Sequence, residues 1–192
     1  TPIRHWPSAL QPWKKLKEWP DTMKRLLVFS DLHGSLSAWL AIKALAGPGD
    51  AVAVAGDLFD TRYGSYNDPD FAPDQIRATI TDLDFKLFYI YGNCDVEGFC
   101  KGFSHELSFK AFDKTFFMHH GHKDTFRIPQ GTDIIIQGHT HLPQLEKIKS
   151  CIHLNPGSIA VPRNDTPTFA VIDSTSVNLM ALSGKKLASL NF

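Results

Sequence analysis

Cysteine is scarce in this chain of 192 residues: Cys94, Cys100 and Cys151 make an odd set without the CxxC spacing of a thiolate metal site. That argues against a disulfide framework and fits a reducing compartment, so the cytoplasm is the expected location. Surplus charge of one sign is lacking too. Lysine and arginine number 20 and aspartate and glutamate 20, so nothing supplies the basic footprint of a protein that binds along a nucleic-acid backbone. No apolar stretch approaches the roughly 20 residues that span a bilayer. The first 22 residues contain no signal-like apolar centre. Neither a membrane protein nor a nucleic-acid partner is expected, and any phosphate chemistry must come from a local site.

What the chain does have is apolar material, 43% of its residues, enough at this length for one core and too little for two comfortable domains. Residues 1–22 hold four of the 12 prolines and three of the four tryptophans. They read as an N-terminal extension, either non-native or an arm laid on an apolar surface, with Met23 as the native start and 23–192 as the domain. A homo-oligomer is compatible with this composition.

From Met23 the apolar pattern alternates between element types. RLLVFS reads as a strand, SLSAWLAIKALA as a helix and AVAVA as a second strand, which is βαβ grammar. A long loop from Gly56 to Pro73 leads to a helix from about Asp74 to Leu83, and KLFYIY forms another buried strand. HELSFKAF and KTFFMHH then read as a hairpin joined near Asp113 and Lys114, and DIIIQ, IHLN, TFAVID and VNLMAL as short strands. The expected class is α/β: two sheets packed face to face with helices outside.

Polar residues fall where those strands end. Asp31 and His33 follow the first strand in SDLHGS, Asp57 the second in AGDLFD, and Asn93 the third in YGNCD. His120 ends KTFFMHHGH, and His139 and His141 follow DIIIQ in QGHTHLP. In open α/β sheets ligands sit beyond the carboxyl ends of strands, so five strand ends carrying oxygen and nitrogen donors should converge. Seven donor side chains exceed the four of a structural zinc site. With one shared carboxylate they suit two divalent ions about 3.5–4 Å apart. Mixed imidazole, carboxylate and amide ligands favour manganese, iron, cobalt or zinc over calcium or magnesium, with manganese taken as the first expectation and nickel also open.

The ordered set DLH, GDLFD, GNCD, HHGH and GHTH resembles that of the calcineurin-like metallophosphoesterases, and with HLNPGS it is similar to their small single-domain bacterial and archaeal phosphodiesterase branch. The resemblance implies a four-layer αββα sandwich with helices on both outer faces. It also implies one metal on Asp31, His33, Asp57 and His141, and a second on Asp57, Asn93, His120 and His139, with Asp57 as the bridge. His119 is left as a strand neighbour. The implied activity is hydrolysis of small phosphate esters, diesters in the first instance, by a hydroxide bridging the two ions. A phosphomonoesterase, or a non-catalytic protein-binding scaffold on the same fold, is the alternative.

Charge supports that chemistry. Two divalent ions bring +4, against which only Asp31 and Asp57 among the donors are negative, so a centre with a bridging hydroxide stays positive enough to draw in a phosphate ester. Asp60 is placed to orient His33. His122 and Asp95 are the candidate catalytic residues beyond the metal ligands, His122 through the phosphate or leaving group and Asp95 through substrate or by holding the Asn93 loop. Arg163 could add positive charge. Where many relatives carry histidine after the asparagine, this chain has Cys94, a poor proton donor near neutral pH. Good leaving groups are therefore expected to be preferred, unless His122 serves as the acid.

Overall fold

Arg25–Phe29 (β1) and Asp50–Val54 (β2) lie parallel in register, Leu26 beside Ala51 and Val28 beside Ala53, with Leu36–Leu45 (α1) crossing between them. The computed structural model describes residues 23–192 except Asp124; residues 1–22, and the expected extension with them, lie outside the described residues. After Pro73–Ile80 (α2), Lys86–Tyr89 (β3) adds in parallel to β2. The chain then leaves this sheet for Glu106–Ala111 (β4), Lys114–His119 (β5), Ile134–Ile136 (β6), Pro143–Ile148 (β7) and Cys151–Pro156 (β8). It returns for Thr168–Ile172 (β9), Ser176–Ala181 (β10) and Lys186–Asn191 (β11). The result is a six-stranded sheet, β11-β10-β9-β1-β2-β3, facing a five-stranded sheet, β4-β5-β6-β8-β7.

Alternation along the strands explains the sandwich. Leu26, Val28, Ala51 and Ala53 point into the space between the sheets, where they meet Phe116, Met118, Ile134, Ile136, Ile152 and Leu154. Their neighbours Leu27, Phe29, Val52 and Val54 point the other way, onto Trp39 and Ile42 of α1 and Ile76 of α2. Strands buried on both faces read as unbroken apolar runs, which is why β1 and β2 were so plain in the sequence. Ser35 caps α1 by accepting the Ala38 N–H at 3.1 Å, and the Trp39 indole N–H ties α1 to α2 through Thr79 Oγ1 at 2.8 Å.

The expected helix-flanked two-sheet sandwich is the observed architecture. Both helices among the described residues pack on the six-stranded sheet. On the outer face of the five-stranded sheet, Phe126 from the irregular segment after β5 stacks on His119 at 3.7 Å between ring centres. That segment carries Gly121, Pro129 and Gly131, which favour turns over a helix. Two edge strands, β7 and β11, were not foreseen; PQLEKI and KLASLN are mostly exposed and carry weak alternation. Among the described residues no helix is long and apolar enough to cross a membrane.

The topology positions the site. β1, β2 and β3 run parallel, as do β5, β6 and β8, so their carboxyl ends gather at one rim. Backbone bonds carry each sheet's pairing on to that rim: Asp31 N–H to Gly56 O at 3.1 Å beyond β1 and β2, and Gly138 N–H to His120 O at 3.1 Å beyond β5 and β6.

Candidate metal centre

The rim backbone is unusual. Asp31, His33, Asp57, Asp60, His139 and His141 all have positive φ, between 48° and 70°. The left-handed region costs an L-residue about 1–2 kcal/mol, and Asp and His are among the types that enter it most readily. Such turns persist only when their surroundings hold them. Asp95 is the main brace: its carboxylate accepts N–H groups from Leu58 (3.3 Å), Phe59 (2.9 Å), Asp60 (3.3 Å) and Gly92 (3.0 Å). It thus locks the Asp57 turn to the Asn93 turn. Ser158 donates to Asp31 O at 2.7 Å, and Asn155 donates to Gly138 O at 2.9 Å. At Gly92 any Cβ would overlap the Asp57 carboxylate, and at Gly56 it would strike the His120 ring.

Three histidines use their outward nitrogen as an anchor. His120 Nδ1 faces Ala55 O at 2.7 Å, His141 Nδ1 faces Val161 O at 2.7 Å, and His33 Nδ1 faces Asp60 Oδ2 at 3.0 Å. A carbonyl or carboxylate oxygen can only accept, so each Nδ1 carries the proton and each neutral ring turns a bare Nε2 inward. Those Nε2 atoms meet other acceptors. His33 Nε2 lies 3.2 Å from His141 Nε2. His141 Nε2 lies 3.3 Å from Asp31 Oδ1, and His120 Nε2 lies 3.1 Å from both Asp57 Oδ2 and Asn93 Oδ1. Asp31 Oδ1 is fully buried and has no hydrogen-bond partner. Lone pairs facing lone pairs repel unless positive charge stands among them, so this donor set fits divalent cations.

Electrostatics agree. Burial works against a charged His33, but its bond to Asp60 and the charges of Asp57 and Asp31 outweigh it and raise the pKa. His120 likewise is raised against its burial, by Asp57 above all. Burial would lift Asp57, yet its contact with His120 and the Cys94 N–H, which donates at 2.7 Å, bring its carboxyl down to about 2. A proton added at Nε2 and a cation bound there would relieve the same repulsion, so the two compete for these rings. Three groups offer ligand atoms within 4.8 Å of one another: Asp31, His33 and His141; Asp31, Asp57 and His120; and His33, Asp57 and Cys94.

Of the seven predicted donors, six are linked by these contacts. His139 sits beside them: its ring centre is 5.2 Å from that of His120, and its backbone N–H donates to Asp31 Oδ2 at 3.0 Å. His122 is 5.4 Å from His120 ring to ring, with a buried Nδ1 lacking a hydrogen-bond partner. Burial and the neighbouring His120 hold its pKa down at about 4. Asp95 is 3% exposed, its carboxylate turned to backbone N–H groups. Asp60 meets His33 as expected. Arg163 touches the site through its backbone, donating to His141 O at 3.3 Å. Sequence reasoning missed Ser158 and Asn155 as braces, although both lie in the HLNPGS run already singled out. It also missed the approach of Cys94 to His33 and Asp57, for which adjacency to Asn93 was the only signal.

Residues 23–176 match the calcineurin-like phosphoesterase superfamily domain. The phosphodiesterase YfcE of Escherichia coli K12 is 25% identical over 176 residues, covering 86% of this chain and 96% of that protein. A probable metallophosphoesterase of Mycoplasma pneumoniae is 32% identical over 163 residues, covering 77% of this chain and 87% of the relative. The solved structure of the Escherichia coli phosphoesterase Yfce superposes with a TM-score of 0.72 over 86% of this chain and 98% of its own, at 25% identity. A rim of inward-facing acceptors, built on a sandwich shared with a phosphoesterase and matched along most of its length, places this chain in the calcineurin-like phosphoesterase superfamily of metal-dependent hydrolases.

Proposed function

We propose that the protein hydrolyses small phosphodiesters at a centre of two divalent cations, manganese in the first instance. Asp31, His33, Asp57 and His141 would hold one ion, and Asp57, Asn93, His120 and His139 the other. The observation that carries this reading is the acceptor-only shell: three bare imidazole nitrogens, two carboxylates and an amide oxygen converge, with Asp31 Oδ1 buried and without a hydrogen-bond partner. When bound, such ions supply positive charge to the phosphate oxygens and lower the pKa of water towards neutrality, the source of a nucleophile near pH 7.

The chain's own residues supply the rest. Asp31 and Asp57 are the only anionic donors, and Asn93 contributes an oxygen without charge, so the centre keeps an excess of positive charge for an anionic ester. The Nδ1 anchors fix each ring before any ligand arrives, which limits the reorganisation needed during reaction. His122, held neutral near pH 7 by its pKa of about 4, offers a hydrogen bond to phosphate and brings no ready proton. Burial, and then the charge of Asp57, raise the Cys94 thiol pKa, so this side chain is a poor proton donor to a departing alkoxide. Esters whose alcohol leaves unaided, such as nitrophenyl esters, are therefore the preferred substrates.

The test is hydrolysis of bis-p-nitrophenyl phosphate and p-nitrophenyl phosphate by manganese-loaded protein, with Asp57→Asn and His120→Ala as controls. Metal-dependent turnover of the diester, lost in both variants, is the expected result. Turnover of neither ester overturns the enzyme reading, and faster turnover of the monoester overturns the choice of diester.

A further inference from the structure

Strand-end spacing leaves Cys94 out of the donor set, but its sulfur, His33 and Asp57 offer ligand atoms within 4.8 Å of one another. Nitrogen and oxygen ligands bind zinc at about 2.0–2.2 Å and sulfur at about 2.3 Å, so neighbouring ligands in a tetrahedral shell stand about 3.5 Å apart. Closing the set around one ion calls for these atoms to draw together by no more than about 1.3 Å. The space between them is one that already calls for a cation: Asp31 Oδ1, fully buried and without a hydrogen-bond partner, lies 3.9 Å from His33 Nε2.

The sulfur is also held in place. Cys94 N–H donates to Asp57 Oδ1 at 2.7 Å, and Cys94 O accepts the Arg62 N–H at 2.9 Å, which fixes the backbone on both sides. Asn93 Nδ2 donates to Cys94 Sγ at 3.1 Å while Asn93 Oδ1 faces His120 Nε2. The other two cysteines lack this setting: Cys100 belongs to the apolar core under the helices, and neither it nor Cys151 joins a group of ligand atoms among the described residues.

We infer that Cys94 is a conditional sulfur ligand of the ion shared by His33 and Asp57, engaged by thiophilic ions such as zinc, cadmium or cobalt and disengaged when the ion is manganese. Engagement breaks the S–H bond, releases the proton to solvent and forms a sulfur–metal bond from the sulfur lone pair, with no change in oxidation state. Nitrogen and oxygen donors already bind cobalt and zinc more tightly than manganese, and a thiolate, the softest donor here, widens that preference and extends it to cadmium. The residue that weakens leaving-group protonation then also sets which metals the centre retains. The inference rests on the two-metal reading above.

Cobalt(II) titration of the full chain, followed by absorption, tests it apart from activity. The wild type is expected to develop a sulfur-to-cobalt charge-transfer band in the near ultraviolet. Cys94→Ser should lose that band while keeping the visible cobalt bands from histidine and carboxylate ligands. Cadmium affinity should fall about tenfold or more in the variant, and manganese affinity should change by less than about threefold. Cobalt uptake with no sulfur band, or with a band that survives in Cys94→Ser, overturns the ligand assignment and leaves the two-metal reading intact. Failure to take up cobalt at all overturns both. Should Cys94→Ser not fold, X-ray absorption of the zinc-loaded wild type reads a sulfur at about 2.3 Å if the inference is right; a shell of nitrogen and oxygen alone overturns it.

Discussion

Between the sheets, Leu26, Val28, Ala51 and Ala53 pack on Phe116, Met118, Ile134 and Ile136, every one of them buried carbon in regular strand geometry. A few residues further along the same strands, Asp31, Asp57, His120 and His141 pack acceptor against acceptor, three of the four on left-handed backbone. The first region gains free energy from what it excludes. The second spends part of that gain to hold groups that repel one another, and so it is stable as a framework yet unsatisfied as a set of atoms. Stability and chemistry should accordingly come apart under mutation.

The widest separation is expected from Asp57→Asn. Loss of its charge should lower turnover by about a thousandfold or more, because ion-centred stabilisation is worth several kcal/mol at about 1.4 kcal/mol per decade. Thermal denaturation of the metal-free variant should move by only a few degrees. Phe116→Ala should do the reverse: truncating this fully buried ring costs about 3–5 kcal/mol in chemical denaturation, while the folded fraction keeps its metal affinity by calorimetry.

Asp95→Asn would show where the comparison fails, since this residue is buried like the core and acts on the rim. Its carboxylate serves four N–H groups, and a carboxamide cannot accept them all. About 1–3 kcal/mol of stability should be lost together with metal affinity. An unfolding curve and a metal titration on one sample give both numbers, and loss of one without the other would assign Asp95 to a single region.

Proton and metal should compete with opposite signs. His33 and His120 have pKa values raised above 6.5 by neighbouring carboxylates, so their contribution to metal-free stability is complete below 6.5 and fades as pH rises through the raised values. His119, His122 and His139 are depressed, so above 6.5 they are neutral in both folded and unfolded chains and contribute no slope there. From about pH 6.5 to 8 the denaturation temperature in chelator should fall, while metal affinity, which needs bare Nε2 atoms, should rise. The smallest effect belongs to His119, adjacent to His120 and unlike it. Its ring is buried against Phe117 and Phe126 with neither nitrogen bonded, and burial brings its pKa down to about 4. Replacement by Phe should raise stability by about 1 kcal/mol without touching metal affinity.

What could be read beforehand follows the same division. Strands buried on two faces announce themselves by composition, and donors at successive strand ends announce a site, because both depend on residue type and order. Edge strands β7 and β11 escaped because one exposed face and ragged alternation look like loop. For Asp95 two roles stayed open, substrate or the Asn93 loop, because an acid four residues after KLFYIY looks the same whether it meets substrate or backbone. Placement of both helices of the described residues on one sheet is not written in any one segment.

The outward-turned Nδ1 protons of His33, His120 and His141 carry one more consequence. Rotational freedom of these rings is surrendered during folding, to partners that persist when the centre is vacant. For the proposed centre, ion exchange would then be a matter of stripping water from the arriving cation, and a chelator is expected to empty it, and a second metal to refill it, without unfolding the scaffold. Occupancy would follow the momentary supply of ions around the protein, so the metal bound at any instant reports on its surroundings as much as on the residues that hold it.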